Sequence, residues 1–207
     1  MRATSTNPSS DLALARGGRL VVAGYSTAAV ALVAFLTING ASGIPTAATI
    51  GTAVLLAIGL LLPAAGMLQL RSGQGPTARG ARFGYPLQAL GLVGLLFGLV
   101  LIVVTATLSG YLVGAVLIAT SGVLAMSGAV LLRGYYVATA ADAGLACLMS
   151  GTALIFLGAG AVVGSNIAFE YLISQVQNTV YVDAGATVSA CGCVLLAYAF
   201  FVLHNRG

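Results

Sequence analysis

Residues 85–108 read YPLQALGLVGLLFGLVLIVVTATL, a continuous stretch without a charged side chain. A helix needs about 20 predominantly apolar residues to cross the hydrocarbon core of a bilayer, and this stretch is long enough. Backbone N–H and C=O groups find no water in that core, so only a helix satisfies them within a single stretch. The sequence therefore predicts a transmembrane helix over residues 85–108.

Five further stretches of the same kind predict that the chain is largely embedded in lipid. Hydrophobic residues make up 59% of the 207 residues and charged residues only 6%, whereas a soluble domain carries about 25% charged residues. The prediction is an all-α, polytopic integral membrane protein, with a cytoplasmic polar tail over 1–19 and a six-helix transmembrane bundle over 20–207. The first run is longer than the apolar part of a signal peptide, so we expect a retained helix. The predicted spans are residues 20–39, 46–70, 85–108, 111–132, 143–165 and 184–203.

The positions of the charged residues predict how the helices are oriented. If the N-terminus is cytoplasmic, all eight arginines lie inside with Asp11 and Asp142, while Glu170 and Asp183 lie outside. Positive residues favour cytoplasmic loops, so we expect both termini in the cytoplasm of a multi-pass protein of the cell (inner) membrane. Because topology explains these arginines, the basic composition does not indicate a nucleic-acid partner.

Glycine spacing predicts close packing between helices. Small residues let helix backbones approach each other in lipid, and a spacing of seven keeps them on one seam. The main interpretation is a tight helix bundle. The alternatives are a seam against another protein and a narrow pore lined by Gly, Ser and Thr. The predicted packing residues are the pairs Gly94/Gly98, Gly110/Gly114 and Gly160/Gly164 and the heptad series Gly144, Gly151, Gly158.

The glycine pattern also indicates repeated hairpins. Two runs have similar spacings, Gly51-x7-Gly59-x6-Gly66-x4-Arg71 and Gly114-x7-Gly122-x5-Gly128-x4-Arg133. The predicted outer links, 40–45 and 109–110, are short, and the third hairpin (143–206) differs by a long outer segment. In these spacings and this layout the chain resembles the HdeD-type small membrane proteins. The resemblance implies a bundle of three hairpins associated with acid stress in bacteria, and it carries over no catalytic residue.

The outer segment 167–183 has an amphipathic pattern. Apolar residues recur at helical spacing on one face, and polar residues including Glu170 fall elsewhere. Three interpretations remain open: a helix in the outer headgroup plane, an outward extension of the fifth helix, and a lid or docking segment. The residues that define the segment are Phe169, Glu170, Leu172, Ile173, Val176 and Val180.

No catalytic, cofactor-binding or metal site is predicted. The predicted spans contain no Asp, Glu, Arg or His, and His204 stands alone near the end of the chain. Transport coupled to protons, metal binding and redox chemistry in a membrane use such buried groups. Pro63 lies inside the second span and is expected to kink it. The functional alternative is a broken helix at a substrate site.

These features favour a non-catalytic integral membrane protein. The expected role is an accessory or structural subunit of a membrane complex, or a stress-associated membrane protein. Its partners would be the lipid bilayer and other membrane subunits or further copies of itself. The alternative is a channel or facilitator for a small neutral solute, which requires a continuous polar path through the bundle.

Overall fold

A computed structural model describes residues 8–39, 46–75, 78–105, 107–137, 142–169 and 175–205 of the chain. These residues form helices joined by short links. The helices are α1 (Pro8–Asn39), α2 (Thr46–Ser72), α3 (Arg79–Thr105), α4 (Leu108–Tyr136), α5 (Asp142–Phe169) and α6 (Gln175–Asn205).

The fold class predicted from the sequence is confirmed. The described residues contain six helices long and apolar enough to cross a membrane. Their lipid-facing surface carries large hydrophobic side chains such as Phe97, Val103 and Leu157, each more than half exposed within the isolated chain. Such side chains have no favourable contact with water but pack against acyl chains. The chain is a multi-pass helical membrane protein.

Several helices extend beyond the apolar runs. The first begins at Pro8, about three turns before the predicted span, so much of the predicted polar tail is helical. The third begins at Arg79 instead of residue 85, which places Pro86 inside a helix. Helical hydrogen bonding continues readily beyond the hydrocarbon core, so hydrophobicity marks the buried turns and not the ends of a helix.

The link between α3 and α4 lies earlier than residues 109–110. Helix α4 begins at Leu108, and the side chain of Thr107 accepts a hydrogen bond from the Gly110 backbone N–H at 3.3 Å. Threonine is a favoured residue at a helix N-cap because its hydroxyl satisfies a backbone donor that the helix leaves free. Ser109 and Gly110 therefore belong to the first turn of α4.

The helices form a ring in chain order. The closest packing lies within the hairpins α1–α2, α3–α4 and α5–α6, neighbouring hairpins touch through α2–α3 and α4–α5, and α6 closes the ring against α1. Because successive helices run in opposite directions, the described arginines lie toward one end, here called the arginine end. These exposed residues are Arg16, Arg19, Arg71, Arg79, Arg82 and Arg133.

The middle of the ring is filled by large side chains. Tyr25 stacks on Phe200 with ring centroids 6.3 Å apart, and Phe200 stacks in turn on His204 at 6.0 Å. Helix α2 continues across Pro63 without interruption, so a broken helix is not observed. Among the described residues, the largest side chains with less than 2% exposure are Val21, Tyr25, Pro63, Met67, Leu70, Tyr85, Leu132, Leu148, Cys193, Leu196 and Phe200.

Candidate binding groove between α4 and α5

Glycines hold the two helices of each hairpin together. In α5–α6, a Cβ added to Gly151 would lie 2.8 Å from the carbonyl oxygen of Gly192, and one added to Gly192 would lie 2.8 Å from that of Gly151. Gly158 and Gly185 face each other in the same reciprocal way one heptad further along. This approach is possible only without side chains, and it places backbone carbonyls against glycine Cα atoms, a weakly attractive contact.

The same register recurs in the other two hairpins. Gly17 faces Gly66 in α1–α2 in the reciprocal manner described for Gly151 and Gly192. In α3–α4 the pairs are Gly84 with Gly128 and Gly98 with Gly114. In α5–α6 the two pairs are seven residues apart on each helix, and in α3–α4 they are fourteen residues apart on each helix. The third hairpin, which looks divergent in sequence, therefore follows the common packing pattern.

The predicted packing glycines fall into three groups. Gly98, Gly114, Gly151 and Gly158 lie in the hairpin seams. Gly94, Gly110 and Gly144 face side chains, those of Ser121, Thr105 and Val202 respectively. Gly160 and Gly164 are exposed, and a Cβ on either would have nothing within 4 Å. Within the described part of the chain, these last two glycines therefore do not pack closely against another helix.

Gly160 and Gly164 instead line a groove between α4 and α5, on the outside of the ring. The groove has a volume of about 970 Å³ and an almost entirely apolar lining. It forms because α4 and α5 belong to different hairpins and lack a glycine seam between them. Phe156 fills only part of the space, in contact with Gly122. The groove is lined by Ala115, Ile118, Ala119, Gly122, Val123, Met126, Ser127, Val130, Leu131, Ala153, Phe156, Leu157, Gly160, Val163, Gly164 and Ile167.

A small polar contact lies behind this groove. The buried amide of Gln88 on α3 donates to the hydroxyl of Thr152 on α5 at 3.2 Å and, more weakly, to the backbone oxygen of Ala125 at 3.5 Å. Nearer the arginine end, the hydroxyls of Tyr85 and Tyr136 share a hydrogen bond. Gln88 lies well inside α3, and its amide ties together helices from two hairpins.

The remaining chemistry-bearing residues do not converge. Among the residues that the structure describes, no group of three His, Cys, Asp or Glu side chains lies close enough to hold a metal ion. Cys193 is buried and Cys191 is exposed, as expected for a spacing of two on a helix. His204 packs against Phe200 and lies beside Gly18 of α1.

The described residues cover only part of the amphipathic segment 167–183. Helix α5 ends at Phe169 and α6 begins at Gln175, so residues 167–169 of the segment extend the fifth helix and residues 175–183 extend the sixth. Val180 is an exposed residue of that extension. Phe169 and Val176 belong to helices, and their side chains lie outside the described part. Glu170, Leu172 and Ile173 also lie outside the described residues.

Comparison with protein-family models, with curated proteins and with solved structures gives no match for this chain. A functional assignment therefore rests on the geometry of the bundle and its groove.

Proposed function

We propose that this chain is a non-catalytic integral membrane protein, acting as an accessory or structural subunit of a membrane complex. The observation that carries the proposal is the composition of the interior. The described buried side chains include no Asp, Glu, Arg or His, groups on which proton relays and coupled transport depend. The buried polar residues are Thr52, Gln88, Ser121, Thr152, Ser165 and Ser189.

A channel for a neutral solute is less well supported. Tyr25, Tyr85 and Phe200 are each at most 1% exposed and fill the interior near the arginine end. A solute would have to displace these rings or follow another path lined by polar groups. The packed interior favours a role in which the bundle presents outer surfaces to lipid and other proteins. The stress-associated role implied by the HdeD resemblance is part of the same proposal, and the three-hairpin layout supports it.

The partner proposal is tested by purification of the full chain in mild detergent from the cells that produce it. We expect membrane proteins to copurify in fixed stoichiometry, and to be crosslinked when the cells are treated before lysis. A lone monomer in several mild detergents, with no crosslinked species, would contradict the subunit role. Saturable permeation of a small neutral solute in proteoliposomes would instead favour the channel.

Orientation in the cell (inner) membrane is a second part of the proposal, with the arginine end and both termini in the cytoplasm. It is supported by the location of the described arginines at one end. In a background without the native cysteines, Gly134→Cys at the arginine end should resist a membrane-impermeant maleimide in intact cells. Ser109→Cys at the opposite end should react. Both positions are exposed, so the reverse labelling pattern would show that the arginine end faces the outside of the cell.

A further inference from the structure

At the arginine end, the groove between α4 and α5 runs toward the positively charged side chain of Arg133. On α4, Gly122 and Met126 line the groove, and Arg133 follows Met126 by seven residues. Since seven residues make almost two full turns, Arg133 lies on the same stripe of the helix as the groove lining. Its side chain is exposed. A long arginine side chain at this position reaches the headgroup level while its stem covers apolar surface.

Asp142 marks the same end of the groove on α5. Gly122 and Phe156 are in contact and therefore lie at the same height in the bundle. Because α4 and α5 are antiparallel, Arg133, which follows Gly122 by eleven residues, lies at the height of Leu145, which precedes Phe156 by eleven. Asp142 begins α5 and lies about 4.5 Å further toward the arginine end. Along the helix axis the backbone of Arg133 is thus nearer the apolar groove than that of Asp142, which lies on the water side of it.

The dimensions of the groove match an acyl chain. From Ala115 to Leu131 the lining on α4 rises about 24 Å, most of the roughly 30 Å hydrocarbon thickness. An acyl chain that starts at the headgroup level of the arginine end stays within the apolar lining along its length. Gly160 and Gly164 widen the groove, since neither has a side chain to fill it.

We propose that this groove binds a phospholipid with an anionic headgroup, whose acyl chain lies along α4 and α5 and whose phosphate contacts Arg133. A guanidinium presents paired N–H donors that match phosphate oxygens. Basic pockets between transmembrane helices are sites where anionic lipids bind. A second copy is a poorer occupant, because two-fold packing at the groove brings Arg133 toward its own symmetry mate.

The headgroup contact is tested by native mass spectrometry in mild detergent. Phosphatidylglycerol and phosphatidylcholine with identical acyl chains are added in equal amounts, and the bound fraction of each is measured. We expect the unmodified protein to retain phosphatidylglycerol preferentially and Arg133→Gln to lower that preference about fivefold. Arg82→Gln is the matched control, since it removes an exposed arginine from the same end but from a helix that does not border the groove.

The acyl-chain contact is tested with a pair of glycine variants. Gly160→Leu fills the groove and should abolish lipid retention, whereas Gly51→Leu should leave it unchanged. Both glycines are exposed and open, so the two substitutions differ mainly in location. If Gly160→Leu fails to fold, the comparison of Arg133→Gln with Arg82→Gln still tests whether the groove binds an anionic lipid. The proposal would be overturned if the unmodified protein bound both lipids equally, or if Arg82→Gln lowered the preference for phosphatidylglycerol as much as Arg133→Gln. It would also be overturned if the protein formed a lipid-free dimer that Gly160→Leu dissociates.

Discussion

Gly151→Leu is expected to prevent α5 and α6 from packing and to abolish the folded bundle. A Cβ at this position would lie 2.8 Å from the carbonyl oxygen of Gly192 and 3.0 Å from the backbone nitrogen of Leu196. Backbone atoms of a rigid helix cannot rotate away as a side chain does, so the helices must separate along the whole seam. We expect a destabilisation above about 3 kcal/mol, beyond the usual range for overpacked cores.

Gly160→Leu is the matched control for this prediction. It lies on the same helix and makes the same change in helix propensity, but a Cβ there meets nothing within 4 Å. Folding is measured by denaturant titration in detergent micelles and by the elution profile from size exclusion. Gly151→Leu should elute as aggregate or lose its cooperative transition, whereas Gly160→Leu should unfold as the unmodified protein does. Equal stability of the two variants would exclude the close glycine seam.

Gly24→Ala is expected to be the most damaging single-methyl addition in the first hairpin. A Cβ on Gly24 would lie 2.2 Å from Cδ of Pro63 and 2.8 Å from its nitrogen. The proline ring cannot change rotamer to make room, and it also removes one helical hydrogen bond in α2. We expect a loss of about 3 kcal/mol, measured by the same titration. Gly51→Ala, at an open position, should have little effect.

Removing the ring tests whether the clash is the cause. Pro63→Ala eliminates Cδ and restores a backbone N–H. The free energy of unfolding should therefore fall less in the Gly24→Ala/Pro63→Ala double variant than the summed losses of the two single variants. Residues in direct contact show coupling energies of about 0.5–3 kcal/mol, and we expect a value near the upper end. Additive effects would mean that Gly24 is required for a reason other than contact with Pro63.

Hydrophobic length alone predicts most of the fold. The uncharged run 85–108 and its five counterparts each correspond to a helix of membrane-spanning length. The boundaries are less predictable, since the residues from Pro8 and from Arg79 onward are polar and basic yet helical. Outside the bilayer core a helix needs neither apolar side chains nor a sharp stop, so composition does not mark its end.

Glycine spacing predicts only part of the packing. Gly151 and Gly158 of the heptad series and Gly98 and Gly114 of the four-residue pairs lie in hairpin seams, whereas Gly144 faces the side chain of Val202 and Gly160 and Gly164 face outward. Antiparallel hairpin helices at a shallow crossing angle meet at intervals of about seven residues. The same period is present in the sequence at Gly17 and Gly24 and at Gly84, Gly91 and Gly98.

The groove is not predictable from either pattern. It depends on α4 and α5, which belong to different hairpins and pack less extensively than the two helices within a hairpin. Its lining residues, such as Ala119 and Leu157, are indistinguishable by composition from other lipid-facing residues. In the sequence Arg133 indicates only orientation, because its alignment with the groove requires knowing which face of α4 turns toward α5.

The closure of α6 on α1 has a consequence for biosynthesis. The face of α1 that carries Gly18 and Tyr25 packs against His204 and Phe200 near the other end of the chain. During translation this face therefore has lipid or an insertion factor as its neighbour until α6 enters the bilayer. The nascent chain passes through a stage with two complete hairpins and an open flank on α1, which closes only when α6 packs against it.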